Sequence, residues 1–92
     1  MRIIHEYTHE NVKVTIFRMD NKFSVKLEKD LLEQTYKFRE GKPVESLEDV
    51  QQLLDERFFD SANYIFSKMI QLRQTALDSS AEGQGDNFPV IL

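Results

Sequence analysis

The chain has 92 residues, of which 40% are hydrophobic and 30% are charged, and it contains no cysteine. A chain of this length fits one domain, and such a domain buries only roughly 60% of the surface that its unfolded chain exposes. We therefore expect a thin core without a deep catalytic cleft. The absence of cysteine excludes disulfides, thiolate nucleophiles and the common cysteine-based zinc sites. This composition fits a reducing compartment, and the cytoplasm is the expected location.

Charge and hydropathy narrow the function classes further. The net charge is −4, but residues 1–43 carry nine Lys and Arg against seven Asp and Glu, whereas residues 44–92 carry three against nine. The first half is therefore weakly basic and the second half is acidic. No stretch approaches the roughly 20 apolar residues that span a bilayer, and the N-terminus is too polar for a signal sequence. We expect neither a membrane span nor export.

Two runs, at residues 12–16 and 23–28, alternate apolar and polar side chains, which is the pattern of half-buried β-strands. Between them lies Asp20-Asn21, two residues that tolerate the left-handed conformation of a tight turn. A two-residue turn at this point predicts a β-hairpin with a fixed register. The predicted cross-strand pairs are Ile16–Val25, Val14–Leu27 and Lys13–Glu28.

Two further turns are predicted, at His9-Glu10 and at Lys29-Asp30, and they add a first strand near residues 2–8 and a fourth strand that ends before Gly41. The pairs that these turns predict are Ile3–Ile16, Tyr7–Val12, Glu6–Lys13, Leu27–Leu32, Phe23–Tyr36 and Lys26–Glu33. This register places apolar side chains on one face and charged ones on the other. The first forty residues therefore predict a four-stranded antiparallel meander.

The second half of the chain has a helical period. Ser46 is a good N-cap, because acidic residues follow it in the first turn. Apolar residues then recur every three or four positions, as in a helix that packs one face on a sheet. The members of this predicted stripe are Val50, Leu54, Phe58, Ala62, Ile65, Met69, Leu72 and Ala76. Phe59, Tyr64 and Phe66 lie off the stripe, where they either widen the core or face a partner helix.

One unbroken helix over residues 46–78 would be about 50 Å long, against a diameter of about 32 Å for a compact domain of this size. We therefore predict a break at residues 58–61, with Asp60 as the cap of a second helix. In the alternative, one helix overhangs the sheet and packs on another protomer. The predicted fold class is α+β, a four-stranded antiparallel meander followed by two helices packed on one face of the sheet (ββββαα).

The composition changes after Asp78. Residues 79–87 are rich in Ser and Gly and have almost nothing to bury. We therefore predict a single α+β domain over residues 1–78 and a flexible C-terminal tail over residues 79–92. The last five residues are apolar again, and an extended apolar end can add to a sheet edge as a strand or fill a groove.

Residues 5–9 read His-Glu-Tyr-Thr-His and match H-E-x-x-H, so that in these five residues the chain resembles the zinc metalloproteases. The resemblance implies a zinc held by His5 and His9, which requires a helix to bring the two imidazoles about 6 Å apart. On a strand, which the neighbouring residues favour, the same spacing covers about 13 Å. We therefore expect no metal site, no catalytic residue and no cofactor. The weaker possibility is nonspecific metal binding by His9 with Glu10 or His5.

Nucleic-acid binding through the outer sheet face is an alternative function. Basic side chains and an aromatic ring share this face, and such faces can stack bases; they are Lys13, Lys22, Lys26, Lys37 and Phe17. In the predicted register, however, carboxylates lie directly opposite the lysines and neutralise them; these are Glu6, Glu28 and Glu33. The isoelectric point of about 5.1 is also far from that of a basic nucleic-acid-binding domain.

The function that we prefer from the sequence is a noncatalytic protein–protein interaction or assembly module, not an enzyme. Its expected partner is a second copy in a homodimer, or another protein, and no membrane. The outer sheet face groups more apolar side chains than a purely solvated face normally does, and the C-terminal segment is a second candidate surface. The candidate interaction residues are Ile4, Phe17, Met19, Leu31, Phe88, Val90, Ile91 and Leu92.

Overall fold

The computed structural model describes residues 1–83, with side chains through residue 79. Four strands come first, and they are β1 (Arg2–His9), β2 (Val12–Met19), β3 (Lys22–Lys29) and β4 (Leu32–Arg39). Two helices follow, α1 (Leu47–Leu53) and α2 (Glu56–Gly83). The strands form one antiparallel sheet in the order β1-β2-β3-β4. The predicted α+β fold with a meander and two helices is confirmed.

The central hairpin has the predicted register. Ile16 pairs with Val25, and Lys13 pairs with Glu28. The turn between the two strands is Asp20-Asn21, and Asp20 has a φ of 53°. Because Asp tolerates this left-handed conformation better than most residues do, the sequence marks the turn clearly.

The registers predicted for the two outer hairpins are wrong. Both turns lie one residue later than expected, at Glu10-Asn11 and at Asp30-Leu31, and all four turn residues have positive φ, as in type I′ hairpins. Moving a two-residue turn by one position shifts the pairing by two residues. The observed pairs include Tyr7–Val14, Glu6–Thr15, Leu27–Gln34, Phe23–Phe38 and Lys26–Thr35. A shift of two leaves the side chains beyond the first residues of β1 on their predicted faces, because faces alternate with a period of two.

β1 departs from the alternation at one point. Ile3 pairs with Phe17 and His5 pairs with Ile16, so that Ile4 is an extra residue at an irregularity in the ladder. Ile4 packs against the core, whereas the side chain of Ile3 is 52% exposed. A β-bulge re-aims side chains in this way. The prediction that Ile4 lies on the outer face is therefore wrong, and Ile3 takes that place.

The core lies between the inner face of the sheet and the helices. From the strands it includes six fully or almost fully buried side chains, Val12, Val14, Ile16, Phe23, Val25 and Leu27. From the segment after the sheet it includes Val44, Val50, Leu54, Phe59, Ala62 and Phe66. Gln34 is the buried polar residue of this face, and its Nε2 donates to the carbonyl oxygen of Ala62 at 3.0 Å. This hydrogen bond satisfies the amide and fixes α2 against β4.

The two helices are separated at Leu54-Asp55, not at residues 58–61. Ser46 caps α1 as predicted, since its Oγ accepts a hydrogen bond from the backbone N–H of Asp49. Asp55 caps α2, because its Oδ1 accepts from the N–H of Phe58 at 2.9 Å. Asp60, the predicted cap, lies inside α2.

The break changes which face of α2 meets the sheet. The predicted stripe counted its steps of three and four residues from Val50 onward as in one helix. The chain leaves the helix at Leu54-Asp55, so the side chains that face the sheet are set anew where α2 begins. The side chains that α2 buries are Phe59, Ala62 and Phe66, whereas Ile65 of the predicted stripe is 40% exposed. The prediction that Ile65 belongs to the core is therefore wrong, as it is for Leu72 and Ala76.

α2 is longer than the sheet that it packs on. Its 28 residues extend about 42 Å at 1.5 Å per residue, whereas a strand of eight residues spans about 26 Å. The radius of gyration is 17.0 Å, against about 12 Å for a compact domain of this length. The helix therefore overhangs the sheet, as in the alternative left open above. It continues to Gly83, and the rest of the predicted tail, residues 84–92, lies outside the described residues.

Neither helix within residues 1–83 is both long enough and apolar enough to cross a membrane.

The rotation of α2 leads to a direct test on two neighbouring residues. Phe66→Ala should lower the free energy of unfolding by about 3–5 kcal/mol, because the fully buried ring leaves a cavity. Ile65→Ala should lower it by about 1 kcal/mol or less, because the side chain is already in contact with water. Urea unfolding at low micromolar protein concentration measures both. A larger loss for Ile65→Ala than for Phe66→Ala would mean that α2 presents its predicted stripe to the sheet.

Candidate interaction surfaces

The apolar stripe that the sequence assigns to the core is exposed along α2. Ile65, Met69, Leu72 and Ala76 are spaced by four, three and four residues, which is the heptad spacing of helices that pack along one another. We call these four residues the heptad stripe. Met69 packs on the edge of the core, and the other three side chains are exposed. The heptad stripe is therefore an apolar surface that, apart from Met69, is exposed within the described part of the chain.

The second half of α2 has no cover from the sheet. Every residue from Ile70 to Ser79 is exposed, and among them Leu72 is 71% exposed and Leu77 is 58% exposed. Isolated single-stranded helices of this length are only marginally stable in water, and packing of an apolar face normally provides most of the stability. An overhanging helix with two turns of exposed leucine and isoleucine therefore resembles one half of an interface.

The β3–β4 turn meets α2 where the helix leaves the sheet. Arg73 Nη1 donates a hydrogen bond to the carbonyl oxygen of Asp30 at 3.0 Å. Leu31, the next residue of the turn and a predicted interaction residue, is 99% exposed. The hydrogen bond thus brings Leu31 to the part of α2 that carries Leu72.

Leu31 also has an unfavourable backbone conformation. Its φ is +67°, which is uncommon for a bulky residue and costs about 1 kcal/mol. Asn11 occupies the same position in the β1–β2 turn, with a φ of +74°, and Asn accepts this conformation readily. Leu31 is thus both strained and fully exposed, so it adds no packing to its own hairpin and is a candidate for contact with a partner.

The other predicted interaction residues are less concentrated. Phe17 and Met19 lie on the outer sheet face as expected, but both are partly buried, and Lys26 Nζ lies 5.6 Å from the centre of the Phe17 ring. Ile4 is on the core side, and Leu31 is at the hairpin tip. Phe88, Val90, Ile91 and Leu92 lie outside the described residues. The structure therefore does not bring Ile4, Phe17, Met19 and Leu31 together into one patch.

The corrected register changes the charges of the outer sheet face. Lys26 faces Thr35, Lys37 faces Ser24, and Lys22 faces Arg39. Lys22, Lys37 and Arg39, which we call the basic corner, line a recess of about 200 Å³. Within the described residues, the ion pairs closer than 4.0 Å are Lys13–Glu6 and Arg18–Glu40. The basic corner is therefore not neutralised, contrary to the expectation from the predicted register.

The carboxylates of this face gather at its opposite end. Glu28 pairs with Lys13 as predicted, but on its other side it faces Glu33, which was expected opposite Lys26. Glu6 is cross-strand to Thr15 and reaches Lys13 diagonally, at 3.8 Å. The outer face is thus basic at the end near the β2–β3 turn and acidic at the end near the β3–β4 turn.

The H-E-x-x-H segment is part of a strand. β1 extends from Arg2 to His9, so that His5 and His9 are separated by about 13 Å along the strand. The geometry by which zinc metalloproteases hold one zinc with both histidines is therefore absent from these residues. Tyr7 lies between them on the same face, and burial raises the pKa of its hydroxyl above the usual value.

No protein-family model matches the sequence, no curated protein is significantly similar to it, and no solved structure significantly matches the fold. The function is therefore inferred from the surfaces described above.

The strained turn predicts opposite effects of one substitution on folding and on association. Leu31→Asn should raise the free energy of unfolding of the monomer by about 1 kcal/mol, because it relieves the left-handed strain. The same change removes an exposed apolar side chain and should weaken any interface at this end of the sheet. Asn11→Leu is the matched control, and it should destabilise the protein by a similar amount. Thermal unfolding at low protein concentration, combined with sedimentation analysis, measures both effects.

If Leu31→Asn instead destabilises the monomer by more than about 1 kcal/mol, the side chain contributes to its own fold. The proposed role outside the monomer would then be wrong.

Proposed function

We propose that this chain is a noncatalytic assembly module of the cytoplasm that forms a homodimer through the overhanging half of α2. The observation that carries the proposal is the heptad stripe, whose spacing fits a helical partner and of which Ile65, Leu72 and Ala76 are exposed. The protein would act by joining two copies of its sheet and whatever is bound to them.

A second copy is favoured as the partner for two reasons. A heptad stripe packs best on another helix with the same spacing of apolar residues, and α2 of a second copy has it by identity. The charge of this surface also permits self-association. Between residues 65 and 79 the helix carries Lys68, Arg73 and Asp78, so that two copies bring together little net charge and repel each other only weakly.

Leu72→Glu is the sharpest test of the proposed dimer. A carboxylate in the middle of the heptad stripe should weaken the dimer by about tenfold or more, because it would be buried without a partner. It should change the stability of the monomer by less than about 0.5 kcal/mol, since the side chain is exposed there. Gln71→Glu is the matched control, with the same new charge about 100° further round the helix. Sedimentation equilibrium gives the dissociation constants.

Two outcomes would contradict this surface. A wild-type protein that stays monomeric at high micromolar concentration has no homodimer. A dimer that survives Leu72→Glu but is lost in Ile91→Asp associates through the apolar C-terminal segment, which is the other surface considered from the sequence.

Binding of single-stranded nucleic acid is a second candidate function, and the basic corner is the specific observation that favours it. Three cations that form no ion pair within 4.0 Å among the described residues line one recess, and Phe17 with Lys26 lies on the same face. Cationic side chains that hold phosphates beside an aromatic ring are the common elements of single-strand binding. The acidic second half of the chain and the net charge of −4 make this candidate weaker than the dimer.

Fluorescence anisotropy with a labelled single-stranded RNA at low salt tests this candidate. Lys37→Gln and Arg39→Gln should each weaken binding severalfold and reduce the slope of log affinity against log salt by about 0.7. Lys13→Gln is the control, because its ammonium group is already paired with Glu6, and it should have a smaller effect. Equal effects of all three substitutions would indicate a response to net charge alone, and undetectable binding would eliminate the candidate.

A further inference from the structure

Three potential metal ligands converge at the end of the sheet where α2 begins. They are His9, the last residue of β1; Glu10, in the β1–β2 turn; and Glu56, the first residue of α2. Each offers one ligand atom, and the three atoms all lie within 4.8 Å of one another. Residues that are 46 positions apart in the sequence are thus brought together by the fold, at a place that neither the heptad stripe nor the basic corner includes.

The imidazole of His9 is held in a fixed orientation. Its ring stacks on the buried ring of Phe59, with centroids 4.1 Å apart and an angle of 22° between the planes. The Nε2 atom of His9 is buried and has no hydrogen-bond partner within the described part of the chain. Buried polar side-chain atoms normally have a partner, and an orphaned one is an observation that a bound ion can explain. The carboxylate pair alone would not indicate a site, whereas this oriented and unpartnered imidazole beside it does.

The donor set selects the class of cation. An imidazole with carboxylates suits zinc and related divalent transition metals, whereas Mg²⁺ and Ca²⁺ prefer oxygen ligands only. With metal–ligand distances near 2.1 Å, tetrahedral ligands lie about 3.4 Å apart. Both glutamate side chains are exposed, so they can close from the present separation by rotation about side-chain bonds.

We propose that His9, Glu10 and Glu56 form a binding site for one divalent transition-metal ion, for which zinc is the probe. Three protein ligands leave at least one coordination position for water, so the site is open and of moderate affinity. A bound ion would connect the β1–β2 turn to the start of α2 and would stabilise the folded state by mass action. The site uses His9 of the H-E-x-x-H segment but not His5, and it does not depend on the proposed dimer.

Isothermal titration of the full-length, tag-free protein with zinc chloride tests the site. The expected result is one zinc ion per chain, with a dissociation constant that rises about tenfold or more in His9→Gln and in Glu56→Gln. Two matched controls should bind zinc as the wild type does. His5→Gln changes the other histidine of the same strand, and Glu48→Gln changes a first-turn glutamate of α1. Zinc should also raise the melting temperature of the wild type, and Mg²⁺ should not.

Several results would overturn the site. They are the absence of saturable zinc binding, one zinc for every two chains, a loss in His5→Gln as large as in His9→Gln, and unchanged binding in Glu56→Gln. If His9→Gln unfolds because the stack on Phe59 is lost, Glu10→Gln and Glu56→Gln decide the question, since both side chains are exposed and circular dichroism verifies that these variants are folded.

Discussion

The difference in length between α2 and the sheet is the constraint on which the other features depend. The inner face of eight-residue strands provides room for about five turns of helix, and α2 has almost eight. The sheet therefore buries the ring of Phe66 but leaves Leu72 and Leu77 in water. A shorter helix would give an ordinary two-layer domain. In this domain the second half of α2 extends beyond the sheet, and we call this part of the helix the arm.

The cap at Asp55 determines which side of that arm is free. It interrupts the helical phase, so that Phe59 and Phe66 occupy the sheet side while the heptad stripe is displaced to the flank. The monomer thus uses part of the most regular apolar period in the sequence and leaves Ile65, Leu72 and Ala76 exposed. Local capping chemistry, acting through a rotation of the helix, separates the residues that fold the protein from those available for association.

The sequence predicts the strands, the faces, the central hairpin and the Ser46 cap, because these depend on alternation and on strong turn and cap residues. It does not locate the outer turns. The second residue of the β3–β4 turn is Leu31, which has no preference for a left-handed conformation, so Asp30 alone marks this turn and its position is ambiguous by one residue. The bulge at Ile4 likewise has no local signal in the sequence.

The candidate sites were harder to predict than the fold because they depend on register and phase. A pairing shift of two residues kept the predicted faces everywhere except at the bulge in β1, and yet it moved Glu33 from opposite Lys26 to opposite Glu28. The charge distribution of the outer face therefore differs from the predicted one. Glu56 could not be grouped with His9 from the sequence, since nothing local connects them. The heptad stripe was visible from the start, but the spacing alone could not distinguish a core contact from an external one.

The exposed half of α2 has a thermodynamic consequence for recognition. Its amides depend on the intrinsic helix propensity of the segment, and among the residues with described side chains the Arg73–Asp30 hydrogen bond is the one that ties it to the turn. This half therefore opens at a lower free energy than the rest of the molecule. Part of the free energy of any contact made there is spent on ordering the helix. Association and local folding are therefore one coupled equilibrium. Substitutions that raise helix propensity on the polar side of the arm would strengthen binding, although the substituted residues make no contact with the partner.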